Sequence, residues 1–488
     1  MLAIILLSVA TCLVFLYFKY SDRPKNFPPG PRGFPVVGYL PFFGTNPGES
    51  FYKLKEKYGT VVSVQVGREY WVILNDFDTI HNALLKEGEK FSGRPSNYIF
   101  EIITKGKGLV GVDYGPAWKT LRKFGNQALK GFGVGKKSME EHIIEEIPFL
   151  LESLTSSGNK TIQIKISEAV CNIVSRVIFG SRFEYEDKRF NDIIEIGNKF
   201  FSNRPEAKII PLMMFAPEMR FIPPFKSAVA NFDKEFQRYL GYFADIITEH
   251  EANFNANDIR DFIDAFLWEM KERGGDDPVF NKQELVQYIR DLIDGGTGTT
   301  ASTLCWSLLC FAKYPEHQEK IYEEIAATIG ESGIPSIEHQ SDMPYTCAFL
   351  QEIMRHRTVL PMGVLHKTTE DAVLNGYAIP KNTPILPNMW SVHYDQVYFE
   401  NPREFRPERF INRDGKFIKS SHVIPFSLGP RHCLGEHLAK MELFIFLTAI
   451  VQKLKILPDP KQAPPSFFGG HINLIYEAPE FQAIFLER

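Results

Sequence analysis

The sequence predicts a mainly α-helical protein with a minor β-sheet, preceded by one amino-terminal transmembrane helix. Three observations lead there. From about residue 136 to residue 356 apolar side chains recur at helical spacing, and residues 434–457 repeat the pattern up to Pro458. Strand patterns are few and short. Val61 to Val66 and Glu69 to Leu74 flank Gly67-Arg68; Ala372 to Leu374 and Tyr377 to Ile379 flank Asn375-Gly376, a pair suited to a type I′ turn. Leu2 to Phe18 is a run of 17 residues without a charge. Strands do not alternate with helices, which excludes a succession of βαβ units.

As a helix the amino-terminal run spans about 26 Å, close to the roughly 27 Å hydrocarbon layer of the endoplasmic reticulum. Lys19, Arg23, Lys25 and Arg32 follow it and no basic residue precedes it, so the positive-inside rule puts the remaining chain in the cytosol. A cleaved signal peptide would need a basic leader and a small-x-small cleavage site, and the run lacks both. Phe27-Pro28-Pro29-Gly30-Pro31 cannot prolong the helix, because proline has no amide donor; it reads as a stiff spacer. Ile209 to Phe225 is a second apolar stretch, broken by four prolines. It fits either a dip into the membrane interface or a buried loop.

The chain has 488 residues, 55 basic against 59 acidic, for a net charge of −4, with 44% hydrophobic and 23% charged residues. That composition excludes a disordered chain, a collagen and a nucleic-acid-coating basic protein. Phenylalanine is over-used, at 41 residues, which points to a large core, an apolar cavity, or both. The six cysteines (12, 171, 305, 310, 347 and 433) form no CxxC pair, which fits a reducing compartment. The sequon at Asn159 means nothing on a cytosolic face.

The strongest chemical signal is Phe426-Ser-Leu-Gly429-Pro-Arg431-His-Cys433-Leu-Gly435, which opens the long carboxy-terminal helical pattern. A cysteine at a helix amino terminus should have a lowered pKa and suits the axial position of a metal. The glycines permit close approach to a flat partner. Zinc would need further ligands, and beyond His437 no second pair is evident.

FxxGxRxCxG resembles the haem-thiolate loop of the cytochromes P450, with all five fixed positions matched. The resemblance implies haem b with Cys433 as iron ligand and Phe426 among the cofactor-binding residues. It covers nearly the whole chain and is closest to the animal microsomal family-2-type enzymes, which Leu438-Ala-Lys-Met-Glu-Leu-Phe and Trp390-Ser-Val-His393 also fit. It implies residues 1–20 as signal anchor, 21–48 as linker and 49–488 as catalytic domain. Glu352-Gln-Ile-Met-Arg355 and Phe405-Arg-Pro-Glu-Arg409-Phe resemble that family's ExxR and PERF motifs, implying a buried triad of Glu352, Arg355 and Arg409. Trp118-Lys-Thr-Leu-Arg122 resembles its WxxxR motif. Trp118, Arg122, Arg94, His366 and Arg431 are thereby the implied partners of the haem propionates.

Asp291-Leu-Ile-Asp294-Gly295-Gly296-Thr297-Gly298-Thr299-Thr300 resembles the family's oxygen-binding helix. Three glycines cost roughly 3 kcal/mol in a helix interior, which suggests a local distortion or a close packing contact. The sequence departs from the pattern at one point. Thr299 is kept, but Gly298 stands where the family has an acid that helps relay protons. Asp294, one turn back, either replaces that acid through water, pairs with a polar or cationic substrate group, or is merely solvated. The implied substrate pocket comprises Val110, Val112, Phe201, Asp294, Gly295, Leu360, Gly363, Val364 and Phe468, mostly apolar, with Gly295 and Gly363 leaving room near the iron.

The implied electron donor is NADPH–cytochrome P450 reductase, with cytochrome b5 a candidate second donor. Lys119, Lys123, Lys130 and Lys440 would offer it a basic face. The function expected is a monooxygenase acting on a steroid, fatty acid or xenobiotic at the endoplasmic reticulum membrane. The alternatives are a hydroperoxide isomerase or dehydratase on the same fold, which Gly298 keeps open, and a non-catalytic haem-binding membrane protein.

Overall fold

The computed structural model describes residues 7–9, 11–12, 15, 23–34, 37–67, 69–95, 98–157, 160–201, 217–274, 277–472 and 475–488; for 99, 199–201 and 471–472 it gives the backbone alone. The expected anchor falls largely outside the described residues, as do residues 209–216 of the second apolar stretch and Asn159. Among the described residues no helix is long and apolar enough to cross a membrane.

The helices that matter here are α1 (Pro47–Tyr58), α2 (Tyr98–Thr104), α3 (Gly108–Gly111), α4 (Pro116–Gly131), α5 (Ile162–Phe179), α6 (Lys188–Phe201), α7 (Phe225–Ala252), α8 (Phe262–Glu272), α9 (Lys282–Lys313), α10 (Pro344–His356) and α11 (Glu436–Lys453). Their starts follow local chemistry. Asn46, Thr161, Asp261 and Asn281 each accept a hydrogen bond from an amide of the first turn of α1, α5, α8 and α9. α9 runs through the middle of the molecule and packs against α5, α7 and α11.

The strands are β1 (Val61–Val66), β2 (Glu69–Leu74), β3 (His366–Lys367), β4 (Ala372–Leu374), β5 (Tyr377–Ile379), β6 (Pro384–Pro387), β7 (Leu454–Pro458), β8 (His471–Ile472), β9 (Tyr476–Glu477) and β10 (Ala483–Glu487). The main sheet has the order β1-β2-β6-β3, with β2 and β6 parallel. Both expected hairpins form, and Asn375 and Gly376 have φ of +48° and +84°, as a type I′ turn requires. One boundary differs from expectation. The carboxy-terminal helix spans 436–453, and Leu454–Pro458 is a strand paired with β10. Alternating burial along those five residues satisfies a strand as well as a helix turn, and the pairing decides.

The abundant phenylalanine goes into the core. Phe124, Phe262, Phe266 and Phe280 pack with Tyr288 at centroid separations of 4.9–6.5 Å, mostly edge to face. This cluster joins α4 and α8 to α9, and so fixes the helix carrying Asp294 and Thr299 relative to the one carrying Trp118 and Arg122.

Candidate active site

The Cys433 loop is shaped by its own backbone. The Cys433 amide donates to Phe426 O at 2.9 Å and closes it. Gly429 has φ +75°, and a Cβ there would lie 1.6 Å from Leu84 O, so no other residue fits. Amides of Gly435 and Glu436, at the start of α11, point at the sulfur. Even so, burial outweighs them and the nearby Arg122, and the Cys433 thiol is pushed up rather than lowered. The expected lowering fails because the helix terminus acts within a desolvated site; a metal ion would have to draw the proton off itself. Cys433 is nonetheless accessible, so the sulfur faces an opening. Phe426 lies half-buried, with the Lys440 ammonium 5.2 Å from its ring centre.

Beside this loop lies a buried concentration of positive charge. Arg94 and Arg431 are 7% and 9% exposed. Burial and then mutual repulsion bring Arg431 down to about 8, and burial brings Arg94 down to about 10. The buried His366 is held neutral by burial and then by Arg94, with its Nδ1 2.7 Å from Phe91 O. Among the described residues, the carboxylates acting on these arginines are Asp113 and Asp291. Arg94 Nη1 donates to Leu365 O at 2.9 Å, while its Nε and the Ser92 hydroxyl have no partner among the described residues. A dianionic group matches this set.

Trp118 and Arg431, two of the implied propionate partners, also bond to backbone carbonyls. Trp118 Nε1 donates to Leu109 O at 3.1 Å, and its ring lies 4.3 Å beneath the Arg431 guanidinium. Arg431 donates to the carbonyls of Ser92, Leu109 and Val112 at 3.0, 2.9 and 2.7 Å. Both brace the wall of the site. Arg122 donates to His432 O at 2.5 Å, tying α4 to the cysteine loop.

The structure brings Glu352, Arg355 and Arg409 together. Arg355 grips both carboxylate oxygens of Glu352 at 2.7 Å, and Arg409 Nε lies 3.2 Å away. Glu352 and Arg355 are fully buried.

Thr299 and Gly295 face open space on α9. Thr299 Oγ1 donates to Gly295 O at 2.7 Å, and beyond the adjoining helix turns no atom of the described residues lies within 4 Å of where a Gly295 Cβ would be. A Gly298 Cβ would meet Ile475 at 3.8 Å. Asp294 is drawn into the protein: Tyr239 donates to it at 2.6 Å and Arg290 lies at 3.6 Å. Burial raises its pKa to about 6 against the pull of Arg290.

Other pocket residues fare unequally. Val110 and Val112 sit half-buried at α3, where Asp291 and Glu284 on α9 accept from the Val110 and Gly108 amides at 2.8 and 2.6 Å. Leu360, Gly363 and Val364 lie half-buried between α10 and β3. Gly363 does not make room. It has φ +59° and a Cβ there would press on Met389 and Pro387 at 3.0 and 3.1 Å. Phe468, 56% exposed, packs on His356 instead of α9. Sequence reasoning missed Ile475, which takes that place; only its apolar character in the same loop marked it. Phe201 ends α6, and its side chain lies outside the described residues.

Residues 28–485 match the family model for Cytochrome P450. The chain belongs to the cytochrome P450 family. It is 36% identical over 463 residues to Cytochrome P450 2H2 of Gallus gallus, covering 93% of this chain and 92% of that one. It is 38% identical over 466 residues to Cytochrome P450 2F2 of Rattus norvegicus, with 93% of each chain covered. Over 494 residues it is 35% identical to Cytochrome P450 2B19 of Mus musculus, covering 99% of each. The protein is thus a cytochrome P450 monooxygenase that binds haem b through a cysteine thiolate.

Proposed function

We propose that this cytochrome P450 is anchored in the endoplasmic reticulum membrane with its catalytic domain in the cytosol. It takes electrons from NADPH–cytochrome P450 reductase, with cytochrome b5 as a second donor, and oxidises a lipophilic steroid, fatty acid or xenobiotic. The observation that carries the substrate class is the open, uncharged face of α9 at Gly295 and Thr299, bordered by the apolar Ile475. Haem bound at Cys433 supplies the oxygen-activating chemistry. Arg94 and His366 hold its anionic edge, braced by Arg431, Trp118 and Arg122.

Thr299 has its proton engaged by Gly295 O, so it offers lone pairs and accepts a hydrogen bond from water or ligand. Asp294 serves as the proton reservoir for this face. A cavity of about 10 Å³, room for one water, borders Asp294, Thr297 and Gly298. Thr297 Oγ1, buried beside the Cys171 thiol, also borders it. A surface cleft of about 700 Å³ lined by Lys119, Arg122, Lys123, Gly429 and His432 suits an acidic redox partner. Lys119 and Lys440 are already paired with Glu89 and Glu436, which leaves Lys123 and Lys130 as the exposed cations.

The test is to incubate one lipid and steroid extract under two regimes. Reductase, NADPH and O2 should yield products with one added oxygen; lipid hydroperoxides alone should yield none. Rearranged hydroperoxides without NADPH would replace this reading with an isomerase or dehydratase, and no turnover despite a normal haem spectrum would make the protein a haem binder.

A further inference from the structure

Arg357 follows directly on α10 and is 2% exposed. Its Nη1 donates to His356 O at 2.9 Å and to the Tyr394 hydroxyl at 3.1 Å. Its Nε and Nη2 are buried with no acceptor among the described residues. Among the described residues no carboxylate pairs with it. Four rings surround it instead: Phe467, Phe468, Trp306 and Tyr476, at 4.5, 4.9, 5.1 and 5.9 Å from the guanidinium carbon. A buried cation without a counter-ion is a poor choice for stability, since an apolar side chain of the same size avoids its desolvation. Cation–π attraction offsets part of that cost and fixes direction, because the guanidinium plane can stack on the rings.

The rings come from two places. Trp306 is on α9, and the other three lie on the segment between β7 and β10. That segment is tied down beside the cage. Trp306 Nε1 and Ser302 Oγ donate to Tyr476 O at 3.0 and 3.3 Å, the Tyr476 amide donates to Val359 O at 2.7 Å, and the Tyr476 hydroxyl donates to Gly469 O at 2.7 Å. Ile475, next in the chain, is the residue that meets α9 beside Gly298 and Thr299.

We propose that Arg357 is a specificity-determining positioning residue: its aromatic cage locks Phe467, Phe468 and Tyr476 onto α9 and the end of α10, and thereby sets where Ile475 stands over the oxygen-activating face. The cage does for the pocket wall what a disulfide or ion pair does elsewhere.

The test compares wild type, Arg357→Met and Arg357→Lys as full-length, haem-loaded proteins. Hydrogen exchange followed by mass spectrometry should show peptides covering 466–477 exchanging at least about tenfold faster in R357M, with α9 peptides unchanged. The thermal midpoint of R357M should be no lower than that of wild type. Lauric acid, as probe substrate, should give a ratio of oxidation positions altered at least threefold. R357K keeps the charge and loses the planar stack, so its exchange should also quicken. Unchanged exchange in R357M overturns the proposal. Should R357M not load haem, R357K decides by the same exchange measurement. The product-ratio arm rests on the oxygenase reading, and the exchange arm does not, so the two fail separately.

Discussion

Replacing Glu352 with glutamine keeps the shape of the buried triad and removes its only negative charge. Glu352 accepts from Arg355 twice at 2.7 Å, from Arg409 at 3.2 Å and from the Arg406 amide at 2.8 Å. In E352Q a fully buried guanidinium faces an amide that can donate as well as accept. Breaking a buried pair on one side costs about 3–5 kcal/mol, or two to four orders of magnitude in the ratio of folded to unfolded protein. The damage has a route to the metal site. Arg355 also donates to His393 O at 2.6 Å, and His393 Nε2 accepts from the Ile424 amide at 2.9 Å. Ile424 O in turn accepts from the Ser427 amide at 3.1 Å, inside the cysteine loop. His393 plays this part as a neutral ring, because burial and then Arg355 hold its pKa down at about 3. Urea titration, read by tryptophan fluorescence and by the carbon monoxide difference spectrum, checks the expectation. E352Q should unfold at markedly lower urea and lose the thiolate-type band first. Arg403→Ala, which removes an exposed pair with Glu49 at 2.8 Å, should cost under about 1 kcal/mol. If E352Q loses no more than R403A, the reasoning is wrong.

Other outcomes follow from the same geometry. Arg94→Met should speed haem loss to apomyoglobin by about tenfold to a hundredfold, the worth of one charge-assisted hydrogen bond, with little change in the unfolding midpoint. Asp294 has a folded pKa of about 6, raised from 3.8 by burial. The native state therefore binds more protons than the unfolded chain between those values, so this group lowers stability as pH rises through that window. Asp294→Asn should flatten that slope in urea titrations at pH 4 to 7, and should lower the product formed per NADPH while substrate affinity holds; unchanged coupling would remove Asp294 from proton delivery. Deleting residues 1–20 should move the protein from the membrane pellet to the soluble fraction while the carbon monoxide spectrum is kept.

The fold was legible where one local rule dominated. Asn375-Gly376 specified its turn, and the helical spacing over 136–356 specified helices, because neither depends on distant partners. The end of the last helix was not legible, since Leu454–Pro458 becomes a strand only by pairing with residues 483–487. At the site, the motif residues Cys433, Glu352, Arg355 and Arg409 were readable through their resemblance to the family's motifs, since ExxR spacing alone fits any solvated helix. The carbonyl bonds that Trp118 and Arg431 make were not, because they join segments far apart in the chain. Phe468 and Ile475 show the same limit within one loop. Both are apolar, and only the tethering of Tyr476 decides which of them meets α9.

The central claim is a monooxygenase whose oxygen chemistry depends on Cys433. Its most direct test supplies isotopically heavy dioxygen, reductase and NADPH to wild type and Cys433→Ser, with a lipophilic extract as substrate. The account predicts products carrying one heavy oxygen atom from wild type and none from C433S. Unlabelled products, or labelled products made equally well by C433S, would contradict it.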